Sequence, residues 1–388
     1  MIPVAYNLRN LTVRKATTAA TAAGLGLVVF VFASVMMLAN SIERTLGRSG
    51  QPDVAIVLRK GSDAELASSI EEQQINLILA NADVAKRGDG KPDGVAEIAM
   101  VILLKKLGTD GLSNVQVRGV PDDVMAFRPA VKVIEGRPAQ AGSDEVIVGK
   151  AIMGRFEGLT LGGKFELRKN RPVTVVGVFS DEGSSFESEV WGDVHTVGSA
   201  FGREGSVSVV RARLISPTKF DGFKASIEQN QQLGLEVQRE LEYYEKQSEG
   251  MNMFIGALGI SIAFLFSIGA MIGAMITMYG SIANRQREIG TLRALGFSRF
   301  SILISFLLES TVLALIGGGL GALGSLAMGM VRFSMVNFSS FSEMVFTFEP
   351  TPGILVGSLA IAVVMGLFGG FLPAVQAARM SPIKAMRG

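Results

Sequence analysis

The chain has 388 residues, 48% hydrophobic and 19% charged, a deficit against the roughly 25% charge of an ordinary soluble domain. Its net charge of +2 conceals a split, because residues 40–250 hold 26 Lys and Arg against 31 Asp and Glu. The basic excess therefore borders the apolar stretches, which is a membrane pattern and a poor footprint for binding nucleic acid. With no cysteine, disulfides, thiolate metal sites and cysteine nucleophiles are excluded as well.

The N-terminal residues Asn7-Leu-Arg-Asn-Leu11, followed by Arg14 and Lys15, read as a short amphipathic start. From Ala16 to Ile42 there is no charge for 27 residues, and about 20 already cross a bilayer core. The first span is expected to continue past Asn40 to Gly47. Residues 53–59 then form a strand. Ser62 with Glu65 has capping-box spacing and predicts a helix running to about Ala80. Residues 83–94 are rich in Gly, Asp and Lys and read as a loop. Strand-like runs follow at 115–119, 145–149, 164–169, 172–179 and 207–215, which together suggest an α+β domain.

Gly158-Leu-Thr-Leu-Gly-Gly163-Lys164 has the spacing of a phosphate loop, but Phe165 follows in place of Ser or Thr. A strand follows it in place of a helix, so the run is a glycine turn. The single histidine, His195, lies in a loop-like stretch beside Trp191 and Asp193. One histidine cannot supply the usual zinc set, and no span holds a histidine for serine–histidine chemistry. No catalytic residue or metal site is expected.

From about Glu242 a polar helix is expected to run into a second span, charge-free from Gly250 to Asn284. The third, Phe300 to Val331, is interrupted only by Glu309, and the fourth runs from Pro350 to Ala378. The fold class is thus an α-helical membrane protein with four transmembrane helices and an α+β extracytoplasmic domain inserted between helices 1 and 2. The divisions are 1–47, 48–241 and 242–388. Glu309 reads either as a helix contact or gating element, or as a carboxylate snorkelling to the inner edge.

Basic residues flank the spans on one side. Arg9, Arg14 and Lys15 precede the first; Arg285, Arg287, Arg293 and Arg299 lie between the second and third; Arg379, Lys384 and Arg387 follow the fourth. The loop from Arg332 to Glu349 has one basic and two acidic residues. Both termini are therefore expected in the cytoplasm, with 48–241 outside the cytoplasmic membrane. Small residues pair at helical spacing: Gly269 with Gly273, Gly317 with Gly321, Ala314 with Gly318, and Gly366 with Gly370. Such pairs serve packing within a bundle or an interface between subunits.

Between spans two and three the chain reads Asn284-Arg-Gln-Arg-Glu-Ile-Gly-Thr-Leu-Arg-Ala-Leu-Gly296-Phe-Ser-Arg299. A short helix over 283–297 is expected, with Ile289, Leu292 and Leu295 on one face and Gly296 as its stop. Ser298 can cap the third span. Arg285, Arg287, Glu288 and Arg293 surround the apolar face, and Gly290 and Gly296 permit close backbone approach. This segment strongly resembles the coupling segment of the MacB/FtsX superfamily of ABC permeases.

The tail Pro373-Ala-Val-Gln-Ala-Ala-Arg379-Met-Ser-Pro382-Ile-Lys-Ala-Met-Arg387 and the stretch Glu309 to Gly324 resemble the same family. So do the amphipathic start and, outside, Glu135-Gly-Arg-Pro138, Glu145 to Gly149, Val173 to Val178, Glu187 to Trp191 and Glu242-Tyr-Tyr244. The resemblance implies a permease, and no ATPase motif is read in this chain, although MacB itself carries its ATPase fused ahead of the first span. A cytoplasmic ABC ATPase that binds ATP and Mg would dock on Arg285, Arg287, Glu288, Ile289, Gly290, Leu292, Arg293, Leu295 and Gly296. With fifteen residues ahead of the first span, that ATPase is expected on another chain.

It also implies a second copy of the chain, contact with membrane lipids, and a periplasmic adaptor with an outer-membrane channel. The family either expels or extracts peptides, drugs, lipids or lipoproteins, or acts as a mechanotransmitter on a cell-wall hydrolase. A sensor receptor is a weaker third reading, because the cytoplasmic parts are too short for an output domain.

Overall fold

A computed structural model describes residues 15–230 and 233–381. The amphipathic start through Arg14 and the tail beyond Ser381, with Pro382, Lys384 and Arg387, lie outside the described residues. The chain divides into two compact units, one of Met1–Ser41, Met253–Arg332 and Thr347–Gly388, the other of Ile42–Asn252 and Phe333–Phe346.

Four helices, lying mainly in the first unit, are long and apolar enough to cross a membrane: Lys15–Gly47, Glu240–Asn284, Arg299–Met330 and Pro352–Arg379. The first ends where expected, and the second is unbroken from its polar start. A helix satisfies every internal backbone group by itself, as a span in hydrocarbon must. Glycines set the packing. A Cβ on Gly321 would lie 2.1 Å from the Gly26 carbonyl oxygen, and one on Gly317 would lie 2.4 Å from that of Ala22. Gly318 faces Ala362, and Gly366 and Gly370 meet Ala314 and Ser310. Three of the four expected small-residue pairs are therefore packing contacts of one bundle. Gly269 and Gly273 have nothing near them.

The second unit is built on strands. In chain order they are β1 (Val54–Arg59), β2 (Ile70–Glu71), β3 (Gly94–Lys105), β4 (Leu112–Val120), β5 (Lys132–Gly136), β6 (Glu145–Gly149) and β7 (Lys164–Arg168). Then come β8 (Arg171–Ser180), β9 (Glu189–Asp193), β10 (Ser206–Val207), β11 (Val209–Arg213), β12 (Leu235–Arg239), β13 (Arg332–Val336) and β14 (Glu343–Thr347). Ten form one sheet, ordered β12-β1-β11-β3-β4-β9-β6-β8-β5 with β7 beside β8. The β4–β9 and β6–β8 pairings are parallel and the rest antiparallel. Valine-rich runs such as β1 and β8 suit a pleated surface covered on at least one face, and their inward residues join one core with Val117, Phe156 and Phe223.

Strand β3 joins two halves of this sheet. Gly94 to Glu97 pairs with β11, whereas Ile98 to Lys105 pairs with β4. At that change of partner sits a buried ionic cluster. Arg118 grips Glu189 with two bonds of 2.7 and 2.8 Å and donates to Glu65 at 2.6 Å and Glu97 at 2.9 Å. Arg211 pairs with Glu65, Glu97 and Glu240, and Arg128 also reaches Glu240. Glu240 opens the second long helix and accepts the Gln51 amide at 3.1 Å. The two chain segments leading to and from the first two spans are thus fastened at one carboxylate.

The helix expected from Ser62 starts only at Glu72, with Glu71 and Gln74 as its reciprocal caps. Glu65 is unavailable to a capping box because Arg118 and Arg211 hold it in the cluster. The expected strand 207–215 breaks at Ser208, whose hydroxyl accepts from the Ala99 amide at 3.0 Å. Its two parts pair differently, β10 with β2 and β11 with β1 and β3. His195 lies in a helix, Val194–Phe201, capped by Asp193, so the loop-like reading is corrected. Gly158 takes φ +80° ahead of β7, as a glycine turn requires.

Candidate functional site

The link between the second and third spans is a helix, Gln286–Ala294, entered through a break at Arg285 (φ −114°, ψ 15°). It stops at Gly296, where φ is +94°. The Phe297 amide bonds the Leu292 carbonyl at 3.1 Å and the Gly296 amide bonds that of Arg293 at 3.2 Å, the pair of bonds that closes a helix through a left-handed residue. Ser298 then caps the third span by accepting from the Ser301 amide at 3.1 Å. Arg293 sits in the last turn and donates to the Phe297 carbonyl at 2.9 Å. A cation there also opposes the helix dipole.

The side chains of the link divide sharply. Ile289 is 2% exposed and packs with Met278 and Ile282 of the second span, Ile302 and Phe306 of the third, and Ala374 and Ala377 of the fourth. Gly290 is buried, Leu292 and Arg293 are half-buried, and Arg287, Glu288 and Thr291 are exposed. Leu295 is 72% exposed. The expected docking face of Ile289, Leu292 and Leu295 is therefore split: Ile289 anchors the link to its own bundle, and Leu295 faces away.

Arg285 is buried and bridges two carboxylates. Its Nη1 donates to Glu309 at 3.0 Å and its Nε to Glu288 at 3.1 Å, and its guanidinium lies 5.4 Å from the Phe306 ring centre. Glu309 is 4% exposed. Glu309 thus reaches the first residue of the link. The pair ties the start of the link to the body of the third span. Among the described residues no group of three His, Asp or Glu is placed to hold a metal ion.

Comparison with known proteins bears on most of the chain. A MacB-like periplasmic core domain model matches residues 16–230, and an FtsX-like permease C-terminal model matches 260–382. The chain belongs to the MacB/FtsX-like ABC permeases.

Among individual relatives, the macrolide export ATP-binding/permease protein MacB of Burkholderia cenocepacia is 29% identical over 69% of this chain and 38% of its own length. MacB of Hahella chejuensis is 35% identical over 38% of this chain and 21% of its own length. The chain thus spans well under half of either MacB protein. An uncharacterized ABC transporter permease, YvrN of Bacillus subtilis, is 28% identical over 71% of both chains. The crystal structure of the periplasmic region of MacB from Actinobacillus actinomycetemcomitans is 12% identical, covering 50% of this chain and 91% of that one, with a TM-score of 0.36.

This MacB/FtsX-like permease therefore has four membrane-crossing helices and an α+β periplasmic domain between the first and second. The link residues named from its sequence lie together, but the bond from Arg285 to Glu309 was not foreseen. One signal pointed to it: a lone acid in a span needs a cation, and Arg285 opens the nearest basic segment. Nor was the role of residues 333–346 foreseen. They form the paired strands β13 and β14 and belong to the periplasmic unit.

Proposed function

We propose that the chain is the membrane subunit of an ABC transporter, coupling a separate cytoplasmic ATPase to motion of the periplasmic domain. The cargo class would be a peptide, drug, lipid or lipoprotein, expelled or extracted. The ATPase would bind ATP and Mg, and two copies of this chain would form the membrane unit. The basic segments around Arg14, Arg293 and Arg379 favour cytoplasmic termini.

The observation that carries this reading is the link helix. It is anchored inward by Ile289 and Arg285, yet presents Arg287, Glu288, Thr291 and Leu295 outward. An exposed leucine at the end of a helix that also presents Arg287 and Glu288, and that is tied to two spans, suits a partner that pushes on it. A link held only at lipid headgroups would need basic residues and nothing more.

Leu295→Asp tests it, because the side chain is exposed and its loss should leave the bundle intact. Co-purification of the ATPase should fall at least tenfold while the melting temperature stays within a few degrees. Wild-type recovery of the ATPase with this variant would overturn the docking surface.

A further inference from the structure

The connection between spans three and four, residues 331–351, is longer than the about 2–8 residues that join neighbouring helices of a bundle. Its two strands are built into the periplasmic unit. Phe346 is 1% exposed, and Val345 is part of the unit's main core. The Val345 amide donates to Ser188 Oγ at 3.1 Å, and the Asn114 side-chain amide donates to the Phe341 carbonyl at 2.8 Å. Asn337 bonds Gln247, on the helix that leads into the second span, at 3.1 Å.

At the centre lies Glu343, its side chain 3% exposed. It takes Lys106 at 2.5 Å, the Ser113 hydroxyl at 2.5 Å and Arg155 at 3.4 Å. Burial alone would push this carboxyl up, but bonds from Lys106, Ser113 and Ser334 outweigh it and leave it below the ordinary range. A buried carboxylate is expensive unless it is fully paired, and a loop that merely turned between two spans would have no reason to carry one.

We propose that the β13–β14 hairpin is a third mechanical connection, which carries displacement of spans three and four into the periplasmic domain, with Glu343 as its pin. Motion would then enter the domain at three places: the end of the first helix, the start of the second, and this hairpin. The inference rests on the ATPase-coupled reading above and adds a route to it.

The test uses the full complex in membranes with its ATPase and a nucleotide-dependent distance between two spin labels in the domain. The natural lack of cysteine lets introduced thiols be read cleanly. Glu343→Gln keeps the shape and removes the ion pairs. It should leave ATPase binding and hydrolysis within twofold of wild type, while the nucleotide-driven distance change falls at least fivefold. A disulfide between Ser188→Cys and Val345→Cys, added to Glu343→Gln, should restore it.

Two results would overturn the hairpin's role. One is full coupling in Glu343→Gln when the Val345→Cys thiol reacts freely, showing an undocked hairpin. The other is loss of coupling when the disulfide is formed in the otherwise wild-type chain, showing that the hairpin must release. If the wild-type complex itself shows no nucleotide-driven change, the ATPase-coupled reading fails, and the hairpin's role with it.

Discussion

Arg285 and Glu309 form a buried ion pair, Nη1 to Oε2 at 3.0 Å, between the first residue of the basic link and the third span. The same guanidinium holds Glu288 at 3.1 Å on the link helix. One side chain therefore fixes where the link sits against the bundle, and it does so beside a hydrophobic anchor, Ile289.

Removing Glu309 takes the buried carboxylate from Arg285, which keeps Glu288 at 3.1 Å. The cost is below the about 3–5 kcal/mol of a buried charge left with no partner. Glu309→Ala should lower the melting temperature of the solubilised protein clearly. The double variant Arg285→Met/Glu309→Leu should recover most of the loss, because both charges leave together. A double variant as unstable as Glu309→Ala would show that packing at the two positions, and not their charges, governs the site.

Glu288 has a different weight. Its side chain is 54% exposed, and surface pairs are worth about 0–1 kcal/mol. Glu288→Lys should thus leave abundance and melting near wild type while impairing ATPase assembly or its coupling. Because Glu288 also bonds Arg285, Glu288→Gln is the necessary companion: it can still accept from Arg285 but offers a partner no charge. Assembly and coupling unchanged in both variants would remove Glu288 from the interface.

The spans, their ends and the link's stop at Gly296 were legible because each rests on a local pattern: charge-free length, capping serine, left-handed glycine. Pairings at long separation were not. Glu65 carries a capping-box spacing with Ser62, yet its carboxylate binds Arg118 and Arg211, distant in sequence, and tertiary electrostatics overrides the local signal. Strand β3 lacks clean alternation because its two ends serve different partners. Ile289 and Leu295 share a helical face by periodicity, but only the packing of three other helix segments decides that one is buried and the other free.

The cluster around Glu65 predicts an acid response. Burial pushes its carboxyl up, but Arg118 and Arg211 outweigh that and hold it at about 2 against an ordinary 4.5. A depressed carboxyl contributes stability that is complete above its unfolded value and lost as pH falls towards the folded one. The contribution is on the order of 3 kcal/mol. Glu189 acts in the opposite sense, since burial raises its carboxyl despite Arg118. The wild-type protein should lose melting temperature between pH 4.5 and 2. Glu65→Gln should be less stable at neutral pH and show a shallower acid slope. Parallel acid slopes in the two proteins would refute the assignment.

The glycines of the spans divide into two groups with opposite expected behaviour. Those at 317 and 321 admit no side chain, because an added Cβ would collide with backbone of the first span at 2.4 and 2.1 Å. Gly317→Val or Gly321→Val should therefore collapse abundance. Gly269, Gly273 and Gly280 have nothing within 4 Å of an added Cβ, and only 11% of the second span's apolar stretch is buried within the chain, against 44% for the first and third. A row of small residues lets helices approach closely where lipid gives no hydrophobic drive, and a second copy is the partner that the two-copy reading supplies. Gly269→Leu/Gly273→Leu should keep a normal melting temperature as a solubilised monomer yet reduce dimer, counted by single-molecule photobleaching in membranes, at least tenfold. An unchanged dimer fraction would place the subunit contact on another helix.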